Sequence, residues 1–287
     1  MADFILSAFA DEAAGSLEEQ IKALEEENIS LIELRGVNGK NCADLTESEA
    51  KEIAEKLRAH NIGISALGSP FGKIGITEDF TAHLEKFKAS LKVCKVLGCR
   101  KIRMFSFYMP QEERTLQGDY SAYRNEVFNR LEQMLNLADK ENILLVHENE
   151  KGIYGDSDQR CMELYNHFAG SLGIVFDPAN YVQCKVNPKS AYELQKNTIT
   201  YFHMKDALFS DGSVVSVGNG DGSVPYILED VDKSRSDKVI LTVEPHLHIF
   251  NGLEKLQSEE VQHKEAYSDS RSAFHAACAA VRKLITD

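Results

Sequence analysis

The chain has 287 residues, of which 43% are hydrophobic, and this length suits one large α/β barrel or two small domains. Its formal net charge of −13 argues against a nucleic-acid partner, because binding to a phosphate backbone depends on clustered Lys and Arg. No apolar run approaches the roughly 18–20 residues of a membrane helix, and no basic segment precedes the apolar run at the N-terminus, so neither a membrane partner nor a signal peptide is predicted.

Apolar runs typical of strands alternate with amphipathic segments typical of helices along the whole chain. The predicted strands cover residues 3–9, 30–36, 62–72, 100–107, 143–150, 172–180, 198–206 and 238–245. The predicted helices cover residues 16–28, 46–61, 77–99, 119–142, 157–168, 188–197, 225–231 and 263–285. Alternation of this kind predicts a parallel sheet. Eight units at a spacing of about 30–40 residues predict a closed (β/α)8 barrel.

A doubly wound open sheet is the competing α/β fold. The first predicted strand-to-helix turn carries no GxGxxG, so nothing marks a dinucleotide site there. No Pro- or Ser-rich linker divides the chain, and we expect residues 1–287 to form a single domain. The six cysteines are scattered without a CxxC pair, which predicts reduced thiols and a cytoplasmic location.

Four predicted strands change from apolar to polar where they end. Glu148, Asp177, His203 and Glu244 lie at these ends. The C-terminal ends of all strands of a parallel barrel surround one mouth, so residues that are far apart in sequence become neighbours there. Three carboxylates and one imidazole suit Mn²⁺, Mg²⁺, Co²⁺ or Zn²⁺. A divalent cation would also relieve the repulsion between the carboxylates. We therefore predict one divalent metal ion.

Four further residues are candidates for binding substrate around this mouth. Glu33 and Asn180 lie near the ends of the second and sixth predicted strands, and His246 lies two residues after Glu244. Lys205 is expected on the same side of its strand as His203, where it could bind a substrate anion or pair with the neighbouring Asp206. The glycine-rich residues 218–222 lack the Lys and the context of a phosphate loop, and a turn is predicted instead.

The segments VHENE, VFDPAN, FHMKD and LTVEPH resemble the metal-binding strand ends of the xylose-isomerase-like TIM barrels. That group includes sugar phosphate isomerases and epimerases, hydroxypyruvate isomerase, inosose dehydratase, ketose 3-epimerases and endonuclease IV. The resemblance implies that Glu148, Asp177, His203 and Glu244 bind the metal and that the two glutamates act as acid and base. Ketose epimerases have His where this chain has Asn180 and Arg where it has Phe209, which argues against a free-ketose 3-epimerase.

The hypothesis from these residues is a sugar or sugar phosphate isomerase or epimerase. One glutamate would remove the α-proton of a carbonyl compound to give a metal-stabilised enediolate. An inosose-dehydratase-like lyase and an endonuclease IV-like phosphodiester hydrolase are the alternatives, and a catalytically silent barrel remains a third possibility. No dense basic cluster marks a phosphate pocket, which favours an unphosphorylated sugar or polyol as substrate. The resemblance also allows a homo-oligomer.

Overall fold

The computed structural model describes residues 1–115, 118–168, 170–248 and 267–286. The barrel strands are Asp3–Ala8 (β1), Leu31–Leu34 (β2), Gly63–Gly68 (β3), Lys101–Met104 (β4), Leu144–Glu148 (β5), Leu172–Phe176 (β6), Ile199–Met204 (β7) and Lys238–Val243 (β8). The α-helices of these residues are Leu17–Glu26 (α1), Glu47–Ala59 (α2), Thr81–Val96 (α3), Arg124–Lys140 (α4), Asp158–His167 (α5), Pro178–Gln183 (α6), Pro188–Gln195 (α7), Val224–Ser234 (α8) and Ser270–Thr286 (α9).

The eight strands form one closed parallel barrel, which confirms the predicted (β/α)8 fold. Around the barrel the order is β1, β8, β7, β6, β5, β4, β3, β2, and β2 returns to β1. The first and last strands pair in parallel over six positions, from Asp3 opposite Lys238 to Ala8 opposite Val243. All strands therefore end at the same mouth, which is where the predicted site residues lie.

Alternation along the strands explains which side chains enter the barrel. Ala66, Val146, Val175 and Tyr201, from four different strands, form a small apolar cluster of their own. Side chains two residues apart on a strand face the same side. Residues two positions after members of this cluster are therefore directed towards the same axis, one layer closer to the mouth. A much larger apolar cluster packs the helices against the outside of the strands.

Each strand ends one to four residues earlier than predicted. Asp177, Lys205 and Glu244, which directly follow β6, β7 and β8, line the mouth. The structure also contains α6 and two short hairpins that were not predicted, and one hairpin joins Asp206–Ala207 to Val214–Val215. The closing helix was predicted over residues 263–285 but begins at Ser270. Residues 263–266 lie outside the described residues.

The structure can be compared with two predictions, that the thiols are reduced and that no segment crosses a membrane. All six cysteines are buried and free. Among the described residues, no helix combines the length and the apolar character that a membrane crossing requires.

Candidate metal centre and active site

The ends of β5 to β8 bring the four predicted ligands together. Glu148, Asp177, His203 and Glu244 are all buried, and one ligand atom from each lies within 4.8 Å of the others. Three of these residues lie two positions beyond inward-facing Val146, Val175 and Tyr201, so the alternation of the strands delivers them to one point. The side chains predicted to converge do so.

His203 lies at the centre of this group. Its Nδ1 is 2.9 Å from Glu148 Oε1 and 3.2 Å from Glu244 Oε2, and its Nε2 is 3.2 Å from Glu33 Oε2. Burial alone would lower the pKa of His203, but the carboxylates of Glu148 and Glu33 raise it well above its usual value. In the absence of a metal the imidazole is therefore protonated and acts as one of the cations of the site.

The two carboxylate oxygens of Asp177 have different roles. Oδ1 accepts a hydrogen bond from Asn180 N at 2.9 Å and so caps α6, which begins with Pro178. Asn149 fixes the backbone by accepting from Asp177 N and donating to its carbonyl. Oδ2 faces the site, 2.9 Å from Lys205 Nζ. The cap therefore orients the carboxylate towards the other ligands.

Buried cations balance the carboxylates. Arg103 Nη1 is 2.6 Å from Glu148 Oε2, and Arg35 Nη1 is 3.3 Å from Glu244 Oε1. Lys205 pairs with Asp177 and lies 3.6 Å from Glu244 Oε2. From the sequence, relief of carboxylate repulsion was expected from a metal ion. The structure shows that this chain's own side chains already supply much of it.

Two residues of the mouth were missed by the sequence analysis. Arg103 lies inside β4 between Ile102 and Met104, which are both fully buried. The signal available in the sequence was a charged residue between two apolar residues of a predicted strand. Glu12 follows β1; its Oε1 accepts from Arg35 Nη2 at 2.8 Å. Burial raises the pKa of Glu12 to about 8, although Arg35 opposes the shift.

His246 enters the mouth through an unusual backbone conformation. Its φ of 44° lies in the left-handed region, which non-glycine residues rarely adopt. The backbone N–H donates to Glu12 Oε2 at 2.7 Å, and Nε2 lies 3.3 Å from both Glu12 Oε1 and Glu244 Oε1. Burial lowers the pKa of His246 well below its usual value, so this imidazole is neutral.

The other predicted substrate residues occupy different depths. Asn180 Nδ2 lies 3.3 Å from Glu148 Oε1, next to the ligand group. Glu33 is fully buried inside the barrel, below the ligands, and bonds Tyr201 and His203. Lys205 pairs with Asp177 and Glu244 and not with Asp206, so that alternative was wrong.

Asp206 instead binds the glycine-rich turn at residues 218–222. Its two carboxylate oxygens accept four backbone hydrogen bonds of 2.8–3.0 Å, and they come from Ala207, Gly218, Gly220 and Gly222. A Cβ on Gly220 would lie 2.3 Å from Asp206 Oδ1, so only glycine allows this approach. The predicted turn is therefore tied to the strand extension that carries Lys205.

The donor set fits a divalent cation. Among the described side chains, the buried atoms Asp177 Oδ2 and Glu244 Oε2 make no hydrogen bond of good geometry, although cations lie near both. Ligands about 2.0–2.2 Å from a zinc ion are at most about 4.4 Å apart, so small movements would close this group around an ion. Three oxygens and one nitrogen suit Mn²⁺, Mg²⁺, Co²⁺ and Zn²⁺.

Comparison with solved structures finds the same fold repeatedly at low sequence identity. The IolI protein with a bound zinc atom is 14% identical, with 99% of this chain and 98% of that chain covered and a TM-score of 0.74. The probable 3-DHS dehydratase AsbF from Bacillus anthracis is 15% identical, with coverages of 98% and 99% and a TM-score of 0.72. An L-ribulose 3-epimerase is 13% identical, with coverages of 99% and 95% and a TM-score of 0.71.

Sequence comparison gives the family. No curated protein matches the chain significantly. The family model described as "Xylose isomerase-like TIM barrel" matches residues 21–269, which include all four candidate ligands and seven of the eight barrel strands. The match, the closed barrel and the resemblance of the strand ends agree, and the chain belongs to the xylose isomerase-like TIM barrel family.

Proposed function

We propose that the protein is a divalent-metal-dependent isomerase or epimerase that moves a proton at the carbon next to a carbonyl group of a sugar or polyol-derived substrate. The observation that carries the proposal is the convergence of Glu148, Asp177, His203 and Glu244 within 4.8 Å at the mouth of the barrel. The zinc-bound IolI protein and the L-ribulose 3-epimerase of the same fold support it.

A metal held by these four residues would act as a Lewis acid and stabilise the negative charge that develops on the substrate when the α-proton leaves. Glu148 and Glu244 would supply the acid and the base. Burial would raise the pKa of Glu148, but His203 and Arg103 lower it well below its usual value. Burial also opposes ionisation of Glu244, but Lys205 and the hydrogen bond from His203 lower its pKa well below its usual value. Both carboxylates are therefore ionised near neutral pH, and either can accept a proton.

The charges of the mouth favour an uncharged polyhydroxy substrate. Arg35, Arg103 and Lys205 are buried, and each lies within 2.9 Å of a carboxylate oxygen. A phosphate group would have to compete with those carboxylates for every one of these cations. Hydroxyl groups can instead accept from the cations and donate to the carboxylates without separating them. We therefore favour an unphosphorylated sugar or polyol.

The test is exchange of the α-proton with solvent. Metal-loaded protein is incubated in D₂O with a panel of ketoses and inososes, and deuterium incorporation is followed by NMR. An isomer, an epimer or a dehydrated product identifies the outcome of the reaction, because all three begin with the same proton removal. Deuterium incorporation without dehydration, or an isomer or epimer of one panel member, supports the proposal. A dehydrated product would instead support the lyase alternative, and none of these outcomes with any member contradicts the proposal.

The base is tested by Glu244→Gln, which keeps the shape of the side chain and removes its ability to accept a proton. Loss of a general base costs about 10²–10⁴-fold, so exchange should fall by at least about 100-fold. Glu150→Gln is the matched control, because Glu150 lies at the rim and pairs with Lys73. Full exchange by Glu244→Gln would refute the role of Glu244.

A further inference from the structure

Glu33 forms a hydrogen-bonded connection inside the barrel, beneath the candidate metal ligands. Tyr201 Oη donates to Glu33 Oε1 at 2.9 Å, and His203 Nε2 lies 3.2 Å from Glu33 Oε2. Glu33 and His203 have no exposed surface, and Tyr201 is 1% exposed. Glu33 pairs with Ala66, a member of the apolar layer below the ligands. Its contacts therefore favour a role that acts through His203.

The two nitrogens of His203 face different partners. Nδ1 faces the ligand group, 2.9 Å from Glu148 Oε1 and 3.2 Å from Glu244 Oε2. Among the described carboxylates, only that of Glu33 pairs with Nε2 of His203. An imidazole that binds a metal uses the lone pair of one nitrogen and carries its proton on the other. The Nε2 proton would therefore be donated to Glu33.

The ring of His203 is also held by its apolar neighbours. Phe9 packs edge-on against it at 5.1 Å between ring centroids, and the Tyr201 ring lies 5.5 Å away. Neither contact distinguishes the two nitrogens, because both involve the ring as a whole. The Glu33 carboxylate is the contact that selects which nitrogen carries the proton.

We propose that Glu33, oriented by Tyr201, is a positioning residue that fixes the tautomer of His203 and strengthens its Nδ1 as a metal ligand. The inference rests on the metal site of the proposed function. A carboxylate that accepts the distal N–H of a ligating histidine raises the basicity of the imidazole, and loss of such a partner typically costs about 10–100-fold in metal affinity.

The test measures Co²⁺ binding by calorimetry and by visible absorption, without any substrate. Glu33→Gln keeps the size of the side chain and removes its charge, and we expect about 10–100-fold weaker Co²⁺ binding. Tyr201→Phe leaves Glu33 in contact with His203 but removes the hydrogen bond that orients it, and we expect a smaller loss of about 2–10-fold. Ser65→Ala is the control, because it removes two other buried hydrogen bonds, to Ser7 and to the Ile32 carbonyl, and neither involves the side chain of Glu33 or His203.

A second readout separates positioning from general destabilisation. In the Zn²⁺-loaded protein, long-range ¹H–¹⁵N NMR should show the His203 proton on Nε2 alone, and Glu33→Gln should disturb this state while Ser65→Ala does not. Wild-type Co²⁺ affinity in Glu33→Gln would overturn the inference. If Glu33→Gln does not fold, unchanged affinity in Tyr201→Phe overturns it. Absence of Co²⁺ binding in the wild-type protein would instead overturn the proposed function, and the inference with it.

Discussion

Replacing Asp206 by Asn should destabilise the protein through the glycine-rich turn. Each carboxylate oxygen of Asp206 accepts two backbone hydrogen bonds, from Ala207 and Gly222 at Oδ1 and from Gly218 and Gly220 at Oδ2. An Asn side chain keeps one oxygen and turns an N–H₂ group towards two N–H donors. Two hydrogen bonds are lost, and two buried donors are left facing another donor.

The size of the effect follows from these contacts. Hydrogen bonds to a charged group contribute about 1.5–3 kcal/mol each, so losing two of them costs about 3–6 kcal/mol. Burial raises the pKa of Asp206 although the backbone N–H groups lower it, so removal of the charge recovers part of this cost. We expect the free energy of unfolding to fall by about 2–4 kcal/mol.

The measurement is urea unfolding followed by circular dichroism, with Asp221→Asn as the matched control. Asp221 belongs to the same turn and accepts one hydrogen bond, from Phe209 N at 2.6 Å, at an exposed position. Its replacement should cost less than about 1 kcal/mol. If Asp206→Asn and Asp221→Asn differ by less than about 0.5 kcal/mol, the assignment of Asp206 as the anchor of the turn is wrong.

Two further predictions concern the loop after β3. Gly72 has a φ of 88°, and a Cβ there would lie 2.0 Å from Phe105 O, so Gly72→Ala should cost more than about 3 kcal/mol. Gly98→Ala, at a φ of 71° with open space around it, should cost only about 1–2 kcal/mol; equal losses of unfolding free energy would contradict this argument. His83 accepts from Gly72 N, and burial lowers the pKa of His83 to about 4. Between pH 6.5 and 4 the unfolded chain takes up this proton and the folded chain does not, so stability falls as the pH falls. His83→Gln should remove about 1–2 kcal/mol of that fall in the free energy of unfolding, a value reduced because His83 is partly exposed. The measurement is the urea midpoint of both proteins across this pH range, and equal changes in the wild-type protein and the variant would argue against the prediction.

The fold and the four candidate ligands could be predicted because both depend on local patterns. Strand and helix periods give the eight units, and the change from apolar to polar marks each strand end. Capping is a further local signal, and it was not applied to the end of the sixth predicted strand. Asp177 followed by Pro178 is the N-cap and first residue of a helix, and this pattern predicts α6 and the orientation of the carboxylate together.

The ion pairs of the mouth could not be predicted in the same way, because they join distant segments. Arg103 and Glu148 are 45 positions apart, and only closure of the barrel brings them to 2.6 Å. The depth of Glu33 depends on a register shift between Ile32 and Glu33 in the pairing of β2 with β3. One error was avoidable, since consecutive strand residues face opposite sides and Lys205 and Asp206 were poor candidates for an ion pair.

Arg35 joins the two strands at which the barrel closes. It bonds Asp11 and Glu12, which follow β1, and lies 3.3 Å from Glu244, which follows β8. During synthesis on the ribosome, Glu148, Asp177 and His203 emerge before Glu244 does. The growing chain therefore carries three of the four candidate ligands and an arginine whose last partner is still missing. Under the proposed function, capture of a metal by the complete set would have to wait until the final strand leaves the exit tunnel and docks beside the first.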